Sequence, residues 1–231
     1  MSGRGEVVFS WFTDLNAAVL AHEWHLNFAA GNSYVFPRTR EEFFQLVDSG
    51  QVVVARCGDE ILGMAYYCLD GADWEVGGLM VSPKARGCGI GQTLVRVTLG
   101  HLLFQEDPLH YRRRVIAHVH AENPEPRPIF EKSLGFKKID TVTLTKEQAR
   151  GLKANTAGEV IGDVYAINSI EPITSMLVWS TAWNDKLKDG GPARINFGQL
   201  YSMEHWKAAF KDYCSRYPTA LPRSGSPSKG C

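Results

Sequence analysis

A chain of 231 residues, 44% apolar and 22% charged, can bury one sizeable core with an elaboration and has ordinary globular composition. Twenty-five basic side chains balance twenty-five acidic ones, so no net field gathers nucleic acid, and the run Arg112-Arg113-Arg114 reads as a solvated approach to a strand. The five cysteines (Cys57, Cys68, Cys88, Cys214 and Cys231) are odd in number and lack Cys-x-x-Cys spacing, which argues against a disulfide framework or zinc site. With no cationic leader and no run of about 18 apolar residues, the expectation is a cytoplasmic protein with no membrane segment.

Residues 6–12 form a β-rich run, after which Thr13 or Asp14 can cap a helix through 15–30, whose apolar residues recur at helical spacing. A loop leads to a second helix in 39–50, with Thr39 as its cap, Glu42 three residues on and Gly50 as its stop. "QVVVARC" and "EILGMAYYCL" flank a Gly-Asp turn and read as a hairpin, followed by a strand over 73–81. A glycine-rich loop then opens a helix over about 89–104, and a strand at 114–121, a helix around 127–134 and a strand at 136–144 follow. The order is that of an α/β fold on a mixed sheet, with strands 73–81 and 115–121 joined by a right-handed helical crossover.

Beyond residue 145 the rhythm changes. Residues 145–155 look helical, 163–170 and 175–183 look like strands, 202–217 resemble an amphipathic helix, and the Pro/Ser/Gly-rich end reads as disordered. The expected organisation is therefore a core over 1–145, an α+β extension over 146–216 and a tail over 217–231.

The loop is Arg86-Gly87-Cys88-Gly89-Ile90-Gly91, then Gln92. It is not a P-loop, because Gln92-Thr93 stands where Lys-Ser/Thr is required, and Gln92 also breaks a dinucleotide fingerprint begun at Gly87. It does satisfy Arg/Gln-x-x-Gly-x-Gly/Ala between a strand and a helix, with Val81-Ser82-Pro83 before it and Leu94 after it. The stretch resembles the acyl-CoA-binding motif of the GNAT superfamily of N-acetyltransferases. The physics agrees: a helix N-terminus leaves backbone N–H groups unpaired and partly positive, and glycines let a diphosphate approach them.

A second block matches as well. Asn123 closes a strand, Phe130 stands seven residues later, and Leu134-Gly135-Phe136 follows. Family members often carry Tyr where Phe130 stands, and Ser133 is one residue more than their spacing has. The resemblance covers 6–144 and implies a GNAT-like splayed mixed sheet flanked by helices. Acetyl-CoA would be the co-substrate. Its pantetheine arm would lie between strands near Val81 and Val119 and pair with backbone at Met80 and Val81. Its diphosphate would rest on Arg86, Gly87, Cys88, Gly89, Ile90, Gly91 and Gln92. Asn123 would sit beside pantetheine or cap its own turn, and Phe130 would pack on the arm.

Acetyl transfer to an amine needs a base for the ammonium, a donor for the thioester oxygen and a proton for the departing sulfur. Glu75 is the candidate base. Strand alternation puts 75, 77, 79 and 81 on one face unless Gly77-Gly78 makes a bulge, and the histone-acetyltransferase branch carries its catalytic Glu there. The oxyanion donor would be an N–H near Met80. Phe130 has no proton to give, leaving water, Tyr66, Tyr67 or His120.

His22 and His25 lie one helical turn apart with no third ligand nearby, so no metal is expected. The acceptor is a primary amine on a small molecule or protein, bound by the region around 27–39 and the part beyond 145. Aromatic residues of that part (Tyr165, Trp179, Trp183, Phe197, Tyr201 and Trp206) would add core, cover the acceptor or form a homodimer contact. The implied function is direct acetyl transfer in a ternary complex. A non-catalytic acyl-CoA-binding module, or a longer acyl donor, remains as an alternative.

Overall fold

The computed structural model describes residues 5–12, 15–105, 114–167, 186–196 and 215. The predicted caps Thr13 and Asp14, the strand at 175–183, the helix at 202–217, the tail, and Trp179, Trp183, Phe197, Tyr201 and Trp206 lie outside the described residues, save Ser215.

The elements run β1 (Val7–Trp11), α1 (Leu15–Ala30), α2 (Arg40–Asp48), β2 (Val52–Cys57), β3 (Glu60–Asp70), β4 (Asp73–Val81), α3 (Ile90–Gln105), β5 (Val115–His120), β6 (Lys137–Thr143), β7 (Ile161–Ile167) and β8 (Ala193–Asn196). They form an eight-stranded sheet in the order β6-β7-β5-β4-β3-β2-β1-β8. Helices cover both faces, and the strand pattern shows why. In β2, Val53 and Ala55 enter the core under α3, while Val52 and Val54 join Ala21, Phe43 and Leu46 of α1 and α2. Alternate residues are apolar on both sides because both sides are covered. No helix among the described residues is long and apolar enough to cross a membrane.

The helix signals hold locally. Thr39 Oγ1 accepts the Glu42 N–H at 3.2 Å while Glu42 Oε2 accepts the Thr39 N–H at 2.7 Å, the reciprocal capping box that the Thr-x-x-Glu spacing predicts. Such a cap stabilises by about 1 kcal/mol, and it starts α2 where Phe43 and Leu46 can be buried.

Two features of the sheet shape the site. The first is a bulge in β4: Met64 pairs with Met80 but Tyr66 pairs with Gly77, so β4 carries one more residue than β3 there, and Gly78 takes φ 56. The expected alternation is thereby corrected. Glu75 does not share a face with Leu79 and Val81, which pack under α3; it shares one with Met80, which packs with Tyr66. A Cβ on Gly78 would stand 1.8 Å from Tyr66 Cε1. Gly78→Ala is therefore expected to destabilise by at least about 1–3 kcal/mol, read as a lower denaturation midpoint.

The second feature is the splay. β4 and β5 pair in parallel only at Trp74–Val115 and Glu75–Ile116, whereas β5 pairs with β7 along its whole length, from Val115–Ile167 to His120–Gly162. Beyond Glu75 the two strands separate, as the resemblance implied.

Three sequence expectations change. The segment 145–155 is a run of turns rather than a helix, because Gly151 at φ 74 packs so closely on Pro37 that a Cβ would lie 2.6 Å from its ring. Around 127–134 the chain forms a π-helical turn, Ile129–Ser133. That wider turn absorbs the extra Ser133 and still sends Phe130, Leu134 and Phe136 into one core cluster. Finally, the sheet does not stop at residue 145. β7 lies between β5 and β6, and β8 pairs with β1, so the division drawn there runs through a continuous sheet. Buried Asp163 of β7 ties the insertion together, pairing with Lys138 at 2.7 Å and Arg127 at 3.3 Å.

Candidate functional site

β4 leads through a short 3-10 turn, Pro83–Ala85, into the loop that opens α3. Gly87 and Gly89 take φ 80 and φ 93, in the left-handed region that favours glycine. Ile90 is buried, so its side chain belongs to the core and only its backbone faces outward. The first helical bond of α3 runs from Thr93 N–H to Gly89 O at 3.0 Å, so the amides ahead of it lie outside the helical ladder. Thr93 Oγ1 donates to the same carbonyl at 2.8 Å, turning it into the helix and away from the loop mouth. Gly91 serves packing instead of approach, since a Cβ there would meet Ile129 Cδ1 at 3.0 Å and Val81 Cγ2 at 3.2 Å. Arg86 is exposed and ion-paired with Glu125.

A cavity of about 420 Å³ opens over this loop, lined by Val81, Arg86, Gly87, Gly89, Ile90, Gly91 and Gln92 on one side and by Asn123, Ile129 and Lys188 on the other. A second cavity of about 370 Å³ lies beneath the splay and contains Arg38, Tyr66, Glu75, His118 and Phe130. Val35, Leu79, Asn123 and Pro126 line both, so the two volumes meet where β4 leaves β5.

In the second cavity Glu75 Oε1 lies 3.0 Å from His118 Nδ1. This hydrogen bond, opposed in part by burial, holds the His118 imidazole above its ordinary protonation range. His118 was missed in the sequence, because only the register between β4 and β5 brings it to Glu75. Glu75 is opposite Ile116 across the parallel pair, and alternation puts His118 on that same side. Cys68, opposite Glu75 on β3, has its thiol pushed up to about 11, mainly by burial with Glu75 beside it, so it stays protonated. Asp70, Glu75 and His118 offer ligand atoms within 4.8 Å of one another, a cation-binding arrangement that linear spacing does not reveal.

The two histidines of α1 have a different task. His22 Nε2 donates to Arg38 O at 3.1 Å, and the Arg38 N–H donates to His25 Nε2 at 2.9 Å. Burial, with His22 and Arg38 nearby, lowers His25 to about 4, which keeps it neutral and able to accept. Both rings thus clamp one residue of the inter-helix loop, and the Arg38 guanidinium lies 4.4 Å over the Tyr66 ring.

The candidate proton donors separate. Tyr67 points to the opposite face, its hydroxyl 3.0 Å from His101 Nδ1 in the core. His120 has both nitrogens engaged: Nε2 donates to Lys153 O at 2.7 Å and Nδ1 accepts the Glu122 N–H at 3.1 Å. Tyr66 does face the cavity, and burial raises its hydroxyl to about 12. Phe130 is buried against Phe136 at 5.1 Å and Tyr165 at 6.3 Å. Asn123 Oδ1 accepts the Glu125 N–H at 3.2 Å, so it caps its own turn while lining both cavities. Cys88 is half-buried in the loop, its Sγ 3.6 Å from Arg86 O.

The rim of the second cavity is made jointly by the inter-helix loop and the chain after β6. Lys153 N–H donates to Ser33 O at 2.8 Å, and Arg150 bonds Glu42 at 2.6 Å. Leu144, Glu147, Gln148 and Leu152 line the cavity from that side.

Comparison with known proteins agrees with this geometry. The acetyltransferase (GNAT) family profile matches residues 17–136. Among solved structures, an N-acetyltransferase from Staphylococcus aureus Mu50 is 18% identical, covers 71% of this chain and 99% of its own, and superposes with a TM-score of 0.53. The yncA protein of Salmonella typhimurium, solved with acetyl-CoA, is 14% identical over 71% and 94%, with a TM-score of 0.54. A polyamine N-acetyltransferase of Drosophila melanogaster is 12% identical over 71% and 100%, with a TM-score of 0.52. No curated protein sequence matches. With a profile spanning more than half the chain, a splayed sheet and an amide-lined loop at the start of α3, the chain belongs to the acetyltransferase (GNAT) family and is an acyltransferase.

Proposed function

We propose that this protein transfers an acetyl group from acetyl-CoA to a primary amine directly, with both substrates bound at once. One observation carries the reading: a cavity over the loop amides meets a second cavity holding the Glu75–His118 pair, at the point where β4 and β5 separate.

In this mechanism the amides of Gly87 to Gln92 hold the diphosphate, with Arg86 beside them once it leaves Glu125. The pantetheine arm runs through the splay along Met80 and Val81, past Asn123 and Phe130, and presents the thioester at the junction. The ammonium of the acceptor gives a proton to the Glu75–His118 pair. Its nitrogen then attacks the carbonyl carbon, the new C–N bond forms, and the C–S bond breaks as an N–H near Met80 holds the oxyanion. Coenzyme A leaves as the thiolate, and the second proton of the nitrogen, which the new amide must shed, passes to that sulfur, with Tyr66 in the cavity wall as the relay. Cys68 supports direct transfer over a covalent acyl-enzyme, because a buried thiol raised to about 11 is a poor nucleophile at neutral pH. With Glu42 taken up by Arg150, the carboxylates Asp70, Glu75 and Glu147 outnumber the one permanent cation, Arg38, among the described lining residues and favour a cationic acceptor.

Release of the coenzyme A thiol across a panel of mono- and polyamines tests the proposal. Turnover is expected with cationic amines, and no release with any amine despite acetyl-CoA binding would overturn it. The pH profile has a definite sign. His118 holds its proton above 6.5, so the base-competent pair accumulates as pH rises through that raised value. The acid limb of kcat/KM should therefore lie above 6.5 and move down in His118→Gln.

A further inference from the structure

Residues 186–192 form a tight turn ahead of β8. A bridge between Lys186 and Pro192 closes it, together with Leu187 N–H to Gly191 O at 2.7 Å and Gly190 N–H to Leu187 O at 2.8 Å. Both sides are anchored. Leu187 is 3% exposed within the core beneath α3, and β8 runs parallel to β1 with Arg194 on Glu6 at 2.7 Å. The turn is thereby held against the diphosphate loop. A Cβ on Gly89 would stand 2.7 Å from Lys188 Cβ and 3.3 Å from its backbone nitrogen. Glycine at 89 answers two demands at once, its φ of 93 and the closeness of Lys188.

Lys188 lines the 420 Å³ cavity along with Arg86 and the loop. Its side chain is exposed and has no acidic partner among the described residues, whereas Arg86 is paired with Glu125. The neighbouring Asp189 bonds within the turn, its Oδ1 accepting the Gly191 N–H at 3.0 Å. The loop itself supplies dipoles, and a diphosphate brings full negative charge that dipoles only partly offset.

We infer that Lys188 pairs with the diphosphate of the acyl-CoA, so that a turn from the chain beyond residue 145 completes the cofactor site. Lys188 lies outside the residues matched to the family profile, 17–136, and belongs to this chain's own elaboration. The inference rests on the reading that the loop takes the diphosphate.

The test is calorimetry on the full chain with acetyl-CoA, its 3′-dephospho form and S-acetylpantetheine, for wild type, Lys188→Ala and Lys188→Glu. The expected result is a loss of about tenfold for both diphosphate ligands in Lys188→Ala, a larger one in Lys188→Glu, and no change for S-acetylpantetheine. The wild-type affinity should also fall more steeply with salt than that of Lys188→Ala. Unchanged affinity in Lys188→Ala, with wild type binding normally, overturns the role of Lys188 alone. A loss confined to acetyl-CoA moves Lys188 to the 3′-phosphate and overturns the diphosphate assignment. Wild type binding acetyl-CoA no better than S-acetylpantetheine sinks the loop reading itself. Lys188 is exposed, so ligand-free melting temperatures should match across the set.

Discussion

Glu75→Gln is expected to lower kcat by about 10²- to 10⁴-fold while leaving acetyl-CoA affinity unchanged. The amide keeps the size of the carboxylate and can still meet His118 Nδ1, 3.0 Å away, but it cannot take a proton. Glu75 lines the cavity beneath the splay and not the one over the loop, so cofactor binding has no reason to respond. His118 loses the charged partner that helps raise it, so whatever rate remains should titrate closer to an ordinary imidazole. Single-turnover acetylation across pH, with calorimetry alongside, measures both. A wild-type rate at every pH would remove Glu75 from the mechanism.

The second large effect concerns the loop. Gly87→Glu is expected to weaken acetyl-CoA binding by about 10²-fold or more, equivalent to about 2.7 kcal/mol. A carboxylate would stand where the diphosphate is proposed to sit, and like charges at close range repel strongly once water is displaced. Position 87 is the informative one of the three glycines. A Cβ there meets nothing within 4 Å, whereas at 89 it strikes Lys188 and at 91 it presses on Ile129 and Val81. The positive φ of 80 costs about 1–2 kcal/mol of stability, which a melting curve will show separately from binding. Unaltered calorimetric affinity would mean that the diphosphate does not rest there.

The two variants probe different halves of one site, and the halves were not equally legible. The loop could be read because its information is contiguous: three glycines, a strand before and a helix after determine where amides are left unpaired. The candidate base could be named but not oriented. Strand alternation placed Glu75 with Leu79 and Val81, and one extra residue at the Gly78 bulge turned it toward Met80 instead. Its partner His118 arrives from another strand, 43 positions along the chain, by a register that linear spacing does not encode. The histidines of α1 show the same limit. Their spacing resembled a half-formed metal site, yet both rings are engaged by the backbone of Arg38, in a loop that only folding brings to them.

By itself the sequence determined the local conformations and the chemistry offered at one loop: the capping box at Thr39, the two-sided burial of β2, and the glycine turn before α3. Such features depend on neighbours within a few residues, and hydrophobic period, side-chain caps and φ preference act at that range. Tertiary structure alone decided that β7 enters the sheet between β5 and β6, that β4 and β5 separate after Glu75, and that His118 and Lys188 reach their places. Those outcomes follow from strand register and from contacts between distant segments. Many pairings have similar local merit, and the fold selects the one that buries its core on both faces of a single sheet.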